Sequence, residues 1–229
     1  MADRILNVSE LVNRVLDGER AVFMVRHAER PKMDPDDPTF GDALKLTDEG
    51  CRTSLELGRI LSPIAPLGVQ FHASPLTRTR MTAALIAEGM GLGGAEVPTD
   101  ELLGNGSFFY DDPAQVLDVF RPENFFNACF EYFRTGEQRG FKNLYQATEA
   151  CERWLLERFE RRLYVVATHD CYIAAFLAAK KAIAEFSREN WPRFLDGGAI
   201  LLKADGSREY ALVRSGLSEG ICGVGGKVV

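Results

Sequence analysis

The chain predicts a three-layer α/β/α domain: a mostly parallel central sheet with a helical insertion over its ligand edge. Three observations carry this. Two apolar runs, Ala21 to Val25 and Leu163 to Ala167, have the length and unbroken apolar character of strands buried on both faces. Helical periodicities lie between such runs, the alternation expected of parallel strands joined by helical crossovers. Both runs stop abruptly at a histidine, in Arg26-His27 and in Thr168-His169-Asp170. The carboxyl edge of an open parallel sheet is where ligands bind.

Taken in order, apolar residues at 8, 11, 12, 15 and 16 predict a helix from Val8 to Leu16, closed by Asp17-Gly18 and covering a sheet edge. The strand Ala21 to Val25 feeds the loop Arg26–Pro31. Asp34 to Thr39, rich in Asp and Pro, reads as an exposed connection. Thr47 is a good N-cap, with carboxylates behind it, for a helix reaching about Leu61 and ended by Ser62-Pro63. Val69 to Ala73 reads as a strand leading through Ser74-Pro75-Leu76 into a helix that lasts to about Glu88. Ala95 to Pro98 reads as a further short strand, and Asn105-Gly106 as a turn.

Three helical patterns follow, Ala114–Phe120, Asn124–Arg134 and Lys142–Phe159. The stretch from about 103 to 160 is expected to be a helical cap, its aromatics mostly core. After Leu163 to Ala167 comes an apolar helix, Cys171–Lys180, for which Asp170 is a natural N-cap. Trp191-Pro192 breaks the chain, Ala199–Lys203 and Glu209–Val213 form a hairpin, and the Gly-rich tail from Gly216 reads as loosely ordered. No repeat or linker divides the chain, so residues 1–229 read as one domain.

Composition narrows the function. A net charge of −6 and a pI of about 5.2 argue against nucleic acid or an anionic membrane as partner, so an anionic substrate must be drawn by a local basic pocket. No apolar run suits a signal peptide or a bilayer span. The five cysteines are scattered, without a CxxC pair, and read as reduced thiols of a cytoplasmic protein rather than disulfides or zinc ligands. No GxxxxGK[ST] string supports a nucleotide-binding P-loop.

The chemistry lies in His27 between Arg26 and Arg30. Guanidinium forks match phosphate oxygens, and histidine is the side chain most readily neutral and nucleophilic near pH 7. His72, inside a strand, reads as structural; Glu29, Lys32 and Arg80 read as solvated charges. Arg26-His27-Ala28-x-Arg30-Pro31, Leu46-Thr47-x-x-Gly50, Ser74-Pro75-Leu76-x-Arg78-Thr79 and the late Thr168-His169-Asp170, in that order, resemble the histidine phosphatase superfamily, which includes phosphoglycerate mutases and histidine acid phosphatases.

That resemblance implies phosphomonoester hydrolysis through a phosphohistidine on His27, without a cofactor or metal. Arg26, Arg30, Arg78 and His169 would bind the phosphoryl group, and Asp170 would donate the proton, the His-Asp pair and Arg30-Pro31 looking like the acid phosphatase branch. A mutase-like transfer with Glu101 as acid is the alternative. A non-catalytic phosphate-binding protein with a degenerate pocket is another, from a different class. The substrate is expected to be a small phosphorylated molecule, less readily a phosphoprotein. Because His27 must be neutral and Asp170 protonated, a mildly acidic optimum is expected. Ala28 stands where the family usually has Gly, which would strain a backbone needing positive φ.

Overall fold

The computed structural model describes residues 3–32, 41–104, 107–121 and 123–218. The expected loop at 34–39, the Asn105-Gly106 turn, Cys222 and the tail beyond 218 lie outside the described residues. Among the described residues there are six strands: β1 (Ile5–Asn7), β2 (Arg20–Arg26), β3 (Val69–Ala73), β4 (Leu163–Thr168), β5 (Gly197–Leu202) and β6 (Arg208–Arg214). Seven α-helices accompany them: α1 (Val8–Leu16), α2 (Asp48–Leu61), α3 (Thr77–Gly89), α4 (Pro113–Val119), α5 (Phe125–Thr135), α6 (Leu144–Glu157) and α7 (Asp170–Ala179).

The strands form one sheet in the order β1-β6-β5-β2-β4-β3. β2, β4 and β3 are mutually parallel, as are β6 and β1; only β5 runs against its neighbours. Side chains alternate along β2 as strand geometry requires. Val22 and Met24 join Tyr164, Val166 and Ile200 beneath α5, α6 and α7. Ala21, Phe23 and Val25 join Val165 and Ala167 beneath α1, α2 and α3. These are the three expected layers. At the end of the 103–160 stretch, α6 packs beside α7, and its Trp154 meets His72 edge-on.

Two elements differ from the sequence reading. β1 has only three residues, too few to show a period, and exists because Ile5 to Asn7 pair in parallel with Leu212 to Arg214. Ala95 to Pro98 is not a strand. Pro98 offers its carbonyl to the Ala73 N–H (3.0 Å) but has no N–H to return, and only Thr99 bridges Ala73.

Candidate active site

The site forms where β2, β4 and β3 end. Their register sets Arg26 opposite Thr168 and Ala73 opposite Ala167, and the His27 N–H donates to the Thr168 carbonyl at 3.0 Å. His27 and His169 leave the sheet side by side, ring centroids 5.5 Å apart in an edge-to-face arrangement. β3 continues through Ser74 to the start of α3, which brings in Arg78.

The His27 ring is oriented by its own loop. Nδ1 lies 2.8 Å from the Ala28 carbonyl oxygen. A carbonyl only accepts, so Nδ1 carries the hydrogen and Nε2 keeps its lone pair. Burial, then the charges of Arg78 and His169, and then Arg26, hold the His27 pKa well below the usual histidine value. His169 is lowered in the same way, by burial and then by Arg78, Arg26 and Arg30. Its Nε2 lies 3.1 Å from the Ser74 hydroxyl, which is itself 2.7 Å from the Thr79 hydroxyl.

Three guanidinium groups are buried around this pair, with Arg26, Arg78 and Arg30 exposed by 2%, 6% and 8%. Arg78 Nη1 donates to the Gly41 carbonyl (2.9 Å) and Arg30 Nη1 to that of Pro31 (2.8 Å). Burial, with the charge of Arg30 behind it, brings the Arg78 pKa down to about 10. Like charges held this close together are relieved by a bound anion. Arg26 Nη1 donates to the Pro192 carbonyl (2.6 Å), Nη2 pairs with Asp170 Oδ2 (3.1 Å), and the guanidinium stacks 4.4 Å over the Phe194 ring. Among the described residues, no group of three or more His, Cys, Asp or Glu is placed to hold a metal ion.

Every residue proposed from the sequence for phosphoryl binding therefore converges here, as does Asp170. Asp170 is the first residue of α7 rather than its N-cap; the cap position is His169, without a side-chain capping bond. Glu101 is exposed on a 3₁₀ turn, Glu101–Leu103, and is not among the groups acting most strongly on His27, His169 or Arg78. Glu29 is more than a solvated charge: its Oε1 accepts the Thr47 hydroxyl at 3.0 Å, and its carbonyl accepts the Thr47 N–H. That contact ties the loop after β2 to the start of α2. Gly50 makes the approach possible, because a Cβ there would lie 2.2 Å from the Glu29 carbonyl oxygen. Ala28 is fully buried and lies outside the positive-φ region, which among the described non-glycine residues holds only Lys181 and Leu195. Its methyl therefore brings no backbone strain. His72 is structural, with Nδ1 2.9 Å from the Tyr164 hydroxyl.

Sequence reasoning missed the segment before β5. Because β5 runs antiparallel to β2, it starts where β2 ends, so Trp191 to Asp196 lie against the site. The Arg26 N–H donates to the Asp196 carbonyl, and the Leu195 N–H to that of Arg26. The buried Asp196 carboxylate gathers the segment by accepting from the Arg193 and Ser215 N–H groups and from Arg214 Nη1 (2.5 Å). The available signal was directional: the start of a returning hairpin strand must sit beside the end of its neighbour.

The buried neutral histidines make stability depend on pH. The unfolded chain protonates both below about pH 6.5, whereas the folded chain resists doing so, so the unfolded state binds more protons as pH falls. Stability should be flat above pH 7 and decline below 6.5, by up to about 1.4 kcal/mol per pH unit for each histidine. Urea midpoints measured between pH 7.5 and 5.5 should show this slope, and His27→Asn with His169→Asn should flatten most of it. Half-buried His72 leaves a residual slope of the same sign.

A buried histidine with a free ring nitrogen, ringed by buried guanidinium groups at a parallel sheet edge, suits phosphoryl transfer. The family model of the histidine phosphatase superfamily (branch 1) matches residues 22–195, and the chain belongs to that family, whose members move phosphoryl groups through a histidine. Solved structures with the same fold include Bacillus stearothermophilus YhfR, at 15% identity and a TM-score of 0.56, with 86% of this chain and 99% of that one covered. Mycobacterial hydrolase 1 matches at 19% identity and a TM-score of 0.55, over 86% and 98% of the two chains. Phosphoglycerate mutase from Bacillus anthracis str. Sterne matches at 12% and 0.54, over 85% and 92%. At these identities the likeness is one of fold. A search of curated proteins finds no match. No helix among the described residues is long and apolar enough to cross a membrane.

Proposed function

We propose that the protein hydrolyses small phosphomonoesters without a metal, through a phosphohistidine at Nε2 of His27. Nε2 attacks phosphorus as the ester P–O bond breaks, and Asp170 gives its proton to the departing oxygen. Water then attacks the phosphohistidine. The P–N bond breaks, the water proton passes to Asp170, and phosphate leaves. Arg26, Arg30, Arg78 and His169 would stabilise the charge on the transferring group. The observation that carries this reading is the Nδ1–H bond to the Ala28 carbonyl, which leaves Nε2 as the ring's basic atom inside a cationic pocket.

Asp170 is favoured as acid because it touches Arg26 within the pocket, whereas Glu101 is exposed. That difference also weakens the mutase-like alternative that depends on Glu101. The 103–160 stretch would read the leaving group as a cap. The test is phosphate release from p-nitrophenyl phosphate with EDTA present, together with isolation of the phosphoenzyme. Activity should survive EDTA, and the protein-bound phosphate should be stable to alkali and lost in acid. A requirement for a bisphosphate primer would favour the mutase, and phosphate binding without turnover the degenerate pocket.

A further inference from the structure

We infer that Trp191 is a positioning residue for the proton donor, holding the Asp170 carboxylate so that its proton is carried and delivered on Oδ1. This rests on the reading of Asp170 as the acid. The two carboxylate oxygens have different surroundings. Oδ2 accepts the Trp191 indole Nε1–H at 2.9 Å and forms an ion pair with Arg26 Nη2 at 3.1 Å. Oδ1 accepts the N–H of Cys171, in its own turn, at 3.0 Å. An oxygen already facing two donors is a poor place for a third hydrogen. The proton that must leave with the alcohol is thereby assigned to Oδ1.

Trp191 is well placed to impose this. It is fully buried, and the rings of Phe125, Phe126, Phe130 and Phe133 from α5, with Phe186, surround it at centroid distances of 5.1 to 6.2 Å. Its carbonyl is held by Arg214 Nη1 at 2.9 Å. A phenylalanine would keep an aromatic ring among these neighbours and give up part of the indole's volume. It would also give up the N–H, which tryptophan spends on Asp170. The same contact makes α5, a helix of the proposed cap, a structural support of the acid.

The test compares an ester with a poor leaving group, glycerol 2-phosphate, with one whose leaving group needs little protonation, p-nitrophenyl phosphate. Trp191→Phe keeps an aromatic ring and removes the N–H; the volume it also gives up is a packing loss, which falls on both esters alike. It should lower kcat on glycerol 2-phosphate roughly tenfold, the scale of one hydrogen bond to a charged group, while leaving KM and the p-nitrophenyl rate within about twofold. Added to Asp170→Asn it should cause no further loss. Equal losses on both esters, or none, in a background where Asp170→Asn shows the leaving-group dependence, would reduce Trp191 to packing and overturn the inference alone. If Asp170→Asn shows no such dependence, the acid assignment fails and takes the inference with it. A second readout needs no change at Trp191. The chain has two tryptophans, and one indole N–H resonance of the folded protein should move in Asp170→Asn while the other stays. Two unmoved resonances would also overturn the inference.

Discussion

His27→Asn should lower phosphomonoester turnover by at least about a thousandfold and leave the fold intact. The scale is that of removing a nucleophile whose neighbours retain only binding and electrostatic assistance. Asparagine is smaller than imidazole but has an amide N–H that can reach the Ala28 carbonyl now held by Nδ1. It also removes a group whose burial among Arg78, His169 and Arg26 disfavours its charged form. The thermal midpoint at pH 7.5 should therefore change little, while phosphate release and the alkali-stable phosphoenzyme disappear together. Retention of more than about a tenth of the activity, on a scale where tenfold is about 1.4 kcal/mol of barrier, would show that His27 is not the nucleophile.

Arg26→Ala should fail in both respects. Arg26 holds the Pro192 carbonyl, pairs with Asp170 and stacks on Phe194, all with 2% of its own surface exposed. Removing it leaves a carboxylate whose side chain is only 15% exposed without its cationic partner. Breaking such a pair from one side costs about 3 kcal/mol or more. Turnover should fall by at least about a hundredfold, through loss of a phosphoryl-binding group and through the misplaced acid. Urea denaturation and phosphate release on the same preparation check the two effects. Lysine at this position should recover part of the stability and little of the rate, because a single ammonium cannot serve both the Pro192 carbonyl and Asp170 in the guanidinium geometry. An alanine variant as stable as wild type would show that the Arg26–Asp170 pair contributes nothing.

The parts of the site legible in the sequence were those carried by local contrast. An apolar run that ends in Arg26-His27 or in Thr168-His169-Asp170 marks both a buried strand and its functional end within eight residues. Arg78 was visible only through Ser74-Pro75-Leu76, which marked a second strand-to-helix junction. What could not be read depended on direction or on partners far along the chain. Trp191 reads, with Pro192, as a chain break, and Asp196 carries no sequence signal, because their meaning comes from β5 running against β2. Asp170 is legible as a candidate acid and as a cap; its partners are not. The backbone gives the cap position to His169, freeing the Asp170 side chain for Arg26 and Trp191. β1 was invisible, since three residues have no period and its partner lies at the other end of the chain.

The register between β2 and β4 has a consequence for how activity is gained during folding. Arg26 and Thr168 are opposite one another with most of the chain between them, and β3 joins on the far side of β4. Parallel strands cannot pair until the intervening crossover has been gathered in, and contacts so distant in sequence form slowly. The segment from Arg26 to Arg30 carries only part of the pocket: His27 without β4 lacks His169 and Asp170, and Arg78 without β3 has no place at the edge. Catalysis is therefore an all-or-none report on topology. During refolding it should return only with the last long-range pairing, after helical signal has already recovered.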